Sequence, residues 1–535
     1  MPRMINKIFQ YHRSSKHNQH AFAPGPGHLD WASQPDPFRR YEGTETLPLI
    51  KISPTEEPSF SESLIPNRVT ARPLNIESLS QLFFDSLALS AWKSFQGTKW
   101  ALRVNPSSGN LHPTEGYLVC GPLQGLIDKP SVFHYNPKTH DLEIRTHFSM
   151  ETWKKMELPQ GTIFVGLSSI HWREAWKYGH RAYRYCHHDL GHALAAINIS
   201  CSGLGWRTHL MDHLTHSDLK TVLGLPSKKD VEIEVPDCLI AILTTGEKEN
   251  TFLSKRDFVQ GFSGLTWQGT PNILSKSHMD WSGIDEVAES ARKTESSFPN
   301  KIRREFFSNL IKDDNFPLRK AIHQRRSAVA MDKKTRIDRD VFYQFLIKTI
   351  PNACPLPFQT LSWETQVHLG LFVHRVSDLP RGLYFLVRNP NHMEELKKTF
   401  NQHFKWRKPE GCPTELDLFL LEEYDCRRMA AGVSCGQDIA GDGCFSLGMI
   451  SAFESPLKVF GPWFYPRLYW ECGAIGQVLY LQAEVSGIRS TGIGCFFDDP
   501  VHHIFGIKDL NYQSLYHFTV GGPVDDNRLT TLPPY

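Results

Sequence analysis

Arg103-Val-Asn105-Pro106-Ser107-Ser108-Gly109-Asn110-Leu-His112-Pro113-Thr-Glu115-Gly-Tyr117-Leu-Val119 decides how the rest of the chain is read. Proline, two serines, glycine and asparagine fill five consecutive positions, which is loop chemistry. Tyr117, Leu118 and Val119 then predict a strand. The loop offers hydroxyls, backbone amides, close backbone approach at Gly109 and a side-chain amide at Asn110. With Arg103 upstream, that donor set suits an anionic or polar cofactor. An ordinary turn before a strand has the same local composition.

Working outward, residues 1–73 read as an extended arm with a short helix near Ile5–His12. Apolar spacing at Leu79, Leu82, Phe83, Leu87 and Leu89 predicts a helix within 74–94. Strands are expected at Phe133–Tyr135, Thr162–Leu167 and Cys238–Thr245. One long buried helix is expected over 173–206, stopped at Gly203-Leu-Gly205, and another helix over Asp212–Leu223. Residues 249–316 are polar with mixed charge and read as a linker. The pattern then returns. Gly473-Ala-Ile-Gly476 echoes Gly191-His-Ala-Leu. Ser486-Gly487-Ile echoes Ser202-Gly203-Leu, and Leu515–Gly522 echoes Leu239–Gly246. The offset is about 280 residues throughout. The expected fold class is therefore α+β, with two tandem copies (74–248 and 317–535), each a central mixed sheet with packed helices. The pair forms an internal pseudo-dimer.

Composition sets outer bounds. The 535 residues are 40% hydrophobic and 22% charged, a globular balance. The formal charge of +2 gives no nucleic-acid or anionic-membrane signal. Eleven scattered cysteines argue against a disulfide scaffold and for a reducing, cytoplasmic setting. No apolar run approaches the roughly 18 residues of a membrane span. The basic, acid-free start of the chain resembles a targeting peptide in composition, but it also carries a motif assigned below to the domain itself.

Gln324-Arg325-Arg326-Ser327 opens the second copy. Two guanidiniums and a hydroxyl can clamp a phosphate, and a solvated basic face has the same letters. His12-Arg13-Ser14-Ser15-Lys16 is taken as its counterpart in the first copy. The clusters His187-His188 with His192, and His209, His213 and His216, lack standard metal-ligand spacing, so no metal is expected. The rival reading is a metal hydrolase built on them. Asp498 is read as a helix N-cap. Cys495 is read as structural, because no Cys-x-x-Cys accompanies it.

Together these motifs resemble the FMN-dependent nitroreductase superfamily, and within it the SagB-type, or thiazoline/oxazoline dehydrogenase, branch. The resemblance rests on Pro106–Pro113, Arg325–Ser327, the central helix with Lys177-Tyr178 before it, and Gly492-Ile-Gly494. It covers most of 75–247 and 318–535. It implies FMN sites built between subunits, and here between copies. The second copy would give Arg325, Arg326, Ser327, Gly492, Gly494 and the C-terminal basic residue Arg528. The first copy would give Pro106, Ser107, Ser108 and Asn110. A second site would pair Arg13, Ser14 and Lys16 with a loop near Pro355–Val367 that lacks Pro-Ser-Ser-Gly-Asn, so one good site and one degraded site are expected. The resemblance further implies hydride chemistry carried by FMN, an NAD(P)H donor and a small-molecule or peptide azoline substrate. Lys177 and Tyr178 are then the candidate catalytic acid–base pair. The competing class is a flavin-binding, non-catalytic scaffold subunit of a peptide-maturation complex.

Overall fold

The computed structural model describes residues 2–226, 231–245, 257–296 and 310–535. Two sheets organise it. In the first copy the strands lie in the order Asp141–His147, Ser131–Asn136, Thr114–Cys120, Ile163–Ile170, Glu234–Leu243, Arg207–Leu210. In the second the order is Leu418–Glu423, Gly382–Leu386, Val367–Val373, Phe445–Ala452, Tyr512–Gly521, Arg489–Ile493. The two orders agree strand for strand, which is the topological signature of a duplication. Every pairing within these sheets is antiparallel, where a mixed sheet was expected. Central strands such as Val367–Val373 and Ile163–Ile170 are buried along their whole length, because the shared core covers the face turned to the other copy and a second apolar cluster covers the outer face.

The two central helices, Ala182–Gly203 and Tyr465–Val485, pack against each other at the middle of the molecule. They cross at Gly191 and Gly473. A Cβ on Gly191 would collide with the Trp470 carbonyl, and one on Gly473 with the His188 carbonyl. The contact is reciprocal, so Gly191 matches Gly473 and His188 matches Trp470. A second reciprocal contact joins the segments entering each copy: Phe60 N–H donates to Phe316 O at 2.7 Å and Leu318 N–H to Pro58 O at 3.0 Å. The apolar core runs without a break from one copy into the other.

Local structure departs from the sequence reading in ways that shape the site. The first-copy helix is shorter than 74–94: it runs Ile76–Phe84 from an Asn75 cap. The chain then enters a hairpin, Leu89–Phe95 and Thr98–Arg103, where Leu89 was expected to be helical. Its turn, Gln96-Gly97, has positive φ at both positions (47° and 83°), the geometry that suits the strand twist. The C-terminal strand Thr530–Leu532 adds to this hairpin, so the tail of the second copy lies on the first. The long helix expected over 173–206 is broken. His171–Tyr178 ends at Gly179 (φ 54°), and a Cβ there would meet Pro24 O at 2.6 Å. This break turns Lys177 and Tyr178 away from the central helix axis.

Residues 1–73 do more than form an arm. They make a helix over Pro2–Ser14 and an edge strand, Thr46–Pro48, of the first sheet. Of the 249–316 stretch, the described part wraps the first copy: Thr270–Pro271 pairs with Tyr41–Glu42, and the helix Ser282–Ser290 packs on Pro2–Ser14. Residues 249–256 and 297–309 lie outside the described residues. Among the described residues no helix is long and apolar enough to cross a membrane.

Candidate functional site

A cavity of about 1140 Å³ opens between the copies. Its wall includes Pro106, Ser107, Ser108, Gly109 and Asn110 from the first copy, and Arg325, Arg326, Ser327, Gly492 and Gly494 from the second. Two stretches more than 200 positions apart thus meet in one space, the hairpin and the C-terminal strand closing it through Lys93, Trp100 and Thr531.

The positive end is built on the turn after the helix Leu318–Gln324. Arg325 is 4% exposed, donates to Arg103 O at 3.2 Å and lies 4.9 Å over the Tyr480 ring. Its Nε has no hydrogen-bond partner among the described residues, and the Glu484 carboxylate acts on it through space only. A buried unpaired guanidinium is costly unless an anion joins it. Arg326 is tied to main chain, to His323 O at 2.9 Å, Arg325 O at 2.7 Å and Ser90 O at 3.2 Å, and burial pulls its pKa down to about 10. Its contact with Ser90 anchors the hairpin. Ser327 Oγ meets Tyr480 OH at 2.9 Å, and the same hydroxyl accepts from Gly492 N–H at 3.0 Å. Ser490 Oγ, on the adjoining strand, is buried without a partner. Arg489 and Lys93, neither anticipated from sequence, add further cations to the wall, Arg489 paired with Asp525.

The opposite wall is acidic underneath. Ser108 donates from both N–H and Oγ to Asp189 at 3.1 Å, and Ser107 Oγ accepts from His112 N–H at 2.8 Å while facing Glu174 at 3.5 Å. Asp189 and Glu174 are both buried and adjacent. Burial, and then the neighbouring Asp189 carboxylate, hold Glu174 well above the usual range; burial holds Asp189 up to about 7, against the Ser108 hydrogen bonds. Two adjacent carboxyls in low dielectric hold one proton between them, as like charges there cannot both ionise. Sequence reasoning missed this pair. Glu174 sits one turn before Lys177-Tyr178 on one helix and Asp189 lies on the next, so only the break at Gly179 brings them together.

Lys177 and Tyr178 lean on the loop. A Cβ on Gly109 (φ 62°) would sit 2.7 Å from Tyr178 OH and 3.1 Å from Lys177 Nζ, so only glycine fits there. Tyr178 lines the cavity and packs edge-on to Tyr185 at 4.7 Å.

Four expected site residues lie elsewhere. Arg528 is exposed at the rim, between cavity-lining Asn527 and Leu529, and its guanidinium is turned back onto Asp526 at 2.7 Å. Arg13 is exposed, Ser14 Oγ contacts His180 at 2.8 Å and Lys16 pairs with Asp499 at 2.7 Å. None is the counterpart of Arg325–Ser327. The reciprocal Phe60/Leu318 contact places Asn67 and the residues after it in that role. Asp498 is no cap either. It opens the helix Asp498–Phe505, and its carboxylate takes Arg181 at 2.9 Å and Arg184 at 2.7 Å, which holds it ionised. His188 and His192 are bound up in the packing between copies, with Leu515 O at 3.0 Å and Gln477 Oε1 at 3.2 Å.

The symmetry-related cleft is filled. Strand register makes Arg207 the counterpart of Arg489, Thr208 that of Ser490 and Asp212 that of Gly494. The loop Gln359–Trp363 replaces Pro106–Asn110. Arg467 stands where the first copy has Tyr185 and binds Asp212 at 2.7 Å, with Lys293 beside them at 3.7 Å. Ser362 Oγ donates to Asp212 at 2.9 Å, Thr208 meets Thr360 at 2.7 Å, and Asn198 reaches both threonines. Asn67, at the place of Arg325, accepts from Arg207 at 2.7 Å.

Against known proteins, the chain is similar to a structure from Anabaena variabilis described as a nitroreductase. The identity is 21%, the match covers 97% of this chain and 99% of that one, and the TM-score is 0.69. A nitroreductase-named protein of Methanocaldococcus jannaschii is 22% identical over 186 residues, which is 33% of this chain and 89% of that protein. No protein-family model matches the chain. The fold is the nitroreductase fold, carried through both copies.

Proposed function

We propose that the chain is an oxidoreductase of the nitroreductase superfamily that binds one FMN in the open cleft. The carrying observation is the meeting of Arg325–Ser327 from one copy with Pro106–Asn110 from the other in a single cavity. The residues fit the group: Arg325 is a buried cation whose Nε lacks a hydrogen-bond partner, Arg326, Arg489 and Lys93 add positive charge to the same wall, and the Pro106–Asn110 loop faces them. Arg325, Arg326 and Ser327 would hold the phosphate, while Pro106–Asn110 and the Gly492–Gly494 turn would flank the ring. FMN supplies two-electron hydride transfer when bound.

The chain's own residues supply the proton chemistry. Glu174 and Asp189 hold a shared proton behind Ser107 and Ser108, and Tyr178 OH stands at the cavity face of the same wall. Lys177 is placed to carry charge between them. That arrangement suits dehydrogenation of a carbon bearing an acidic hydrogen, the demand of a peptide azoline, and supports the SagB-type reading, in which an oxidant would take the two electrons onward to close the ping-pong cycle; NAD(P)H would serve as donor only for turnover in the reductive direction.

The decisive measurement is flavin released per chain after denaturing the purified protein. One FMN per chain is expected. Two per chain, or a protein that takes up no FMN when reconstituted, removes the proposal.

A further inference from the structure

Cys495 supplies sulfur to the cavity wall, immediately after Gly494. On sequence it has no Cys-x-x-Cys partner. The fold gives it one about 60 positions upstream. Phe497 N–H donates to Val433 O at 2.8 Å, and Gln437 Nε2 donates to Cys495 O at 3.0 Å. These two bonds bring the Cys435 and Cys495 side chains together as electrostatically interacting neighbours. Cys435 is held with φ 55°, a left-handed conformation unusual for a side-chain-bearing residue and maintained only where the surroundings fix it. Eight of the eleven cysteines are buried, whereas Cys435 and Cys495 are both half-exposed.

A histidine completes the cluster. His17 Nδ1 accepts from Ala23 N–H at 2.9 Å, so the ring proton sits on Nε2, and the ring faces Cys495 as a donor from the cavity wall. Arg181 lies on the other side, donating to Gly494 O at 3.2 Å. The neighbouring Cys435, and then His17 against the opposing effect of burial, pull the Cys495 thiol down to about 5, while Cys435 is pushed up. This is the electropositive, accessible surrounding of a reactive thiolate with a resolving thiol beside it.

We propose that Cys495 and Cys435 form a dithiol–disulfide couple that exchanges with small-molecule disulfides entering the cavity. The Cys495 thiolate attacks one sulfur of RS–SR, forming Cys495–S–SR and releasing RS⁻. Cys435 then loses its proton and attacks the Cys495 sulfur, forming the Cys435–Cys495 bond and releasing the second RS⁻. The two thiols are oxidised by two electrons, one disulfide is reduced to two thiols, and the two protons lost by the cysteines end on the products. No flavin is required.

The test uses the full-length chain, reduced, desalted and treated with glutathione disulfide. Intact mass should fall by about two units, the two hydrogens lost, and non-reducing peptide mapping should find Cys435 joined to Cys495. Cys435→Ser should stop at one glutathionyl adduct on Cys495. Cys495→Ser should react at least tenfold more slowly than Cys435→Ser. Cys412→Ser, at the third half-exposed thiol, should behave as wild type, and matched thermal midpoints confirm that the variants fold. A wild-type chain that only accumulates adducts, or Cys435→Ser and Cys495→Ser reacting alike, overturns the proposal.

Discussion

Two clefts lie between the copies, related by the reciprocal contacts at Gly191/Gly473 and Phe60/Leu318, and they share strand order and register. One is a cavity of about 1140 Å³ lined by a buried cation, Arg325, whose Nε lacks a hydrogen-bond partner. In the other the corresponding polar groups satisfy one another: Arg467 with Asp212, Thr208 with Thr360, Arg207 with Asn67. The same sheet frame therefore carries either a binding site or a core, and the loop, the hairpin and the side chains set on it decide which. Where groups are left unsatisfied, a ligand is required; where they close on each other, stability replaces binding.

The largest effect is expected from breaking the filled cleft. Asp212→Ala leaves Arg467 and Lys293 buried without their anion, and should cost about 3–5 kcal/mol in denaturant unfolding. A loss under about 1 kcal/mol would show that the cluster is solvated and the cleft is not truly closed. Next comes the open cleft. Arg325→Ala should weaken FMN binding by about 2 kcal/mol, roughly 30-fold, while the apo chain stays as stable as wild type or gains, because an unpaired buried charge is removed. Equal loss of binding and apo stability would reassign Arg325 as structural, like its neighbours across the axis.

A third test is a pH signature of the carboxyl pair. Asp189 is held up to about 7 in the folded chain, against about 4 unfolded, so its contribution is present at low pH and fades as pH rises through about 7. Asp189→Asn keeps an acceptor for Ser108 and removes that titration. Its stability relative to wild type should rise between pH 4 and 7, by at most about 1.4 kcal/mol per pH unit, the one-proton limit. Parallel stability–pH curves for the two proteins would show that no proton is shared there.

Much of the open cleft was legible in the chain. Pro106–Asn110 is written in loop residues, and Arg325-Arg326-Ser327 stands out as a charge–hydroxyl motif. The duplicated helix and its Gly-rich stop show through periodicity. The failures have physical causes. The helix expected over 74–94 overlaps only the first strand of the hairpin, from Leu89 on, where the apolar spacing fits both periods, and the turn signal Gln96-Gly97 lies outside the commonest pairs. Arg13–Lys16 was matched to Arg325–Ser327 by letters alone, whereas register and reciprocal hydrogen bonds point to the stretch at Asn67.

The sequence by itself determined that two like domains exist, and that one cleft lacks the loop of the other. Only the tertiary structure decided what fills that second cleft, which carboxyls face each other at Glu174 and Asp189, and that Cys435 stands against Cys495. These are pairings between residues on different elements. Local propensity and periodicity encode which element forms, whereas burial, register and the meeting of charges across a shared interface exist only once the copies have packed.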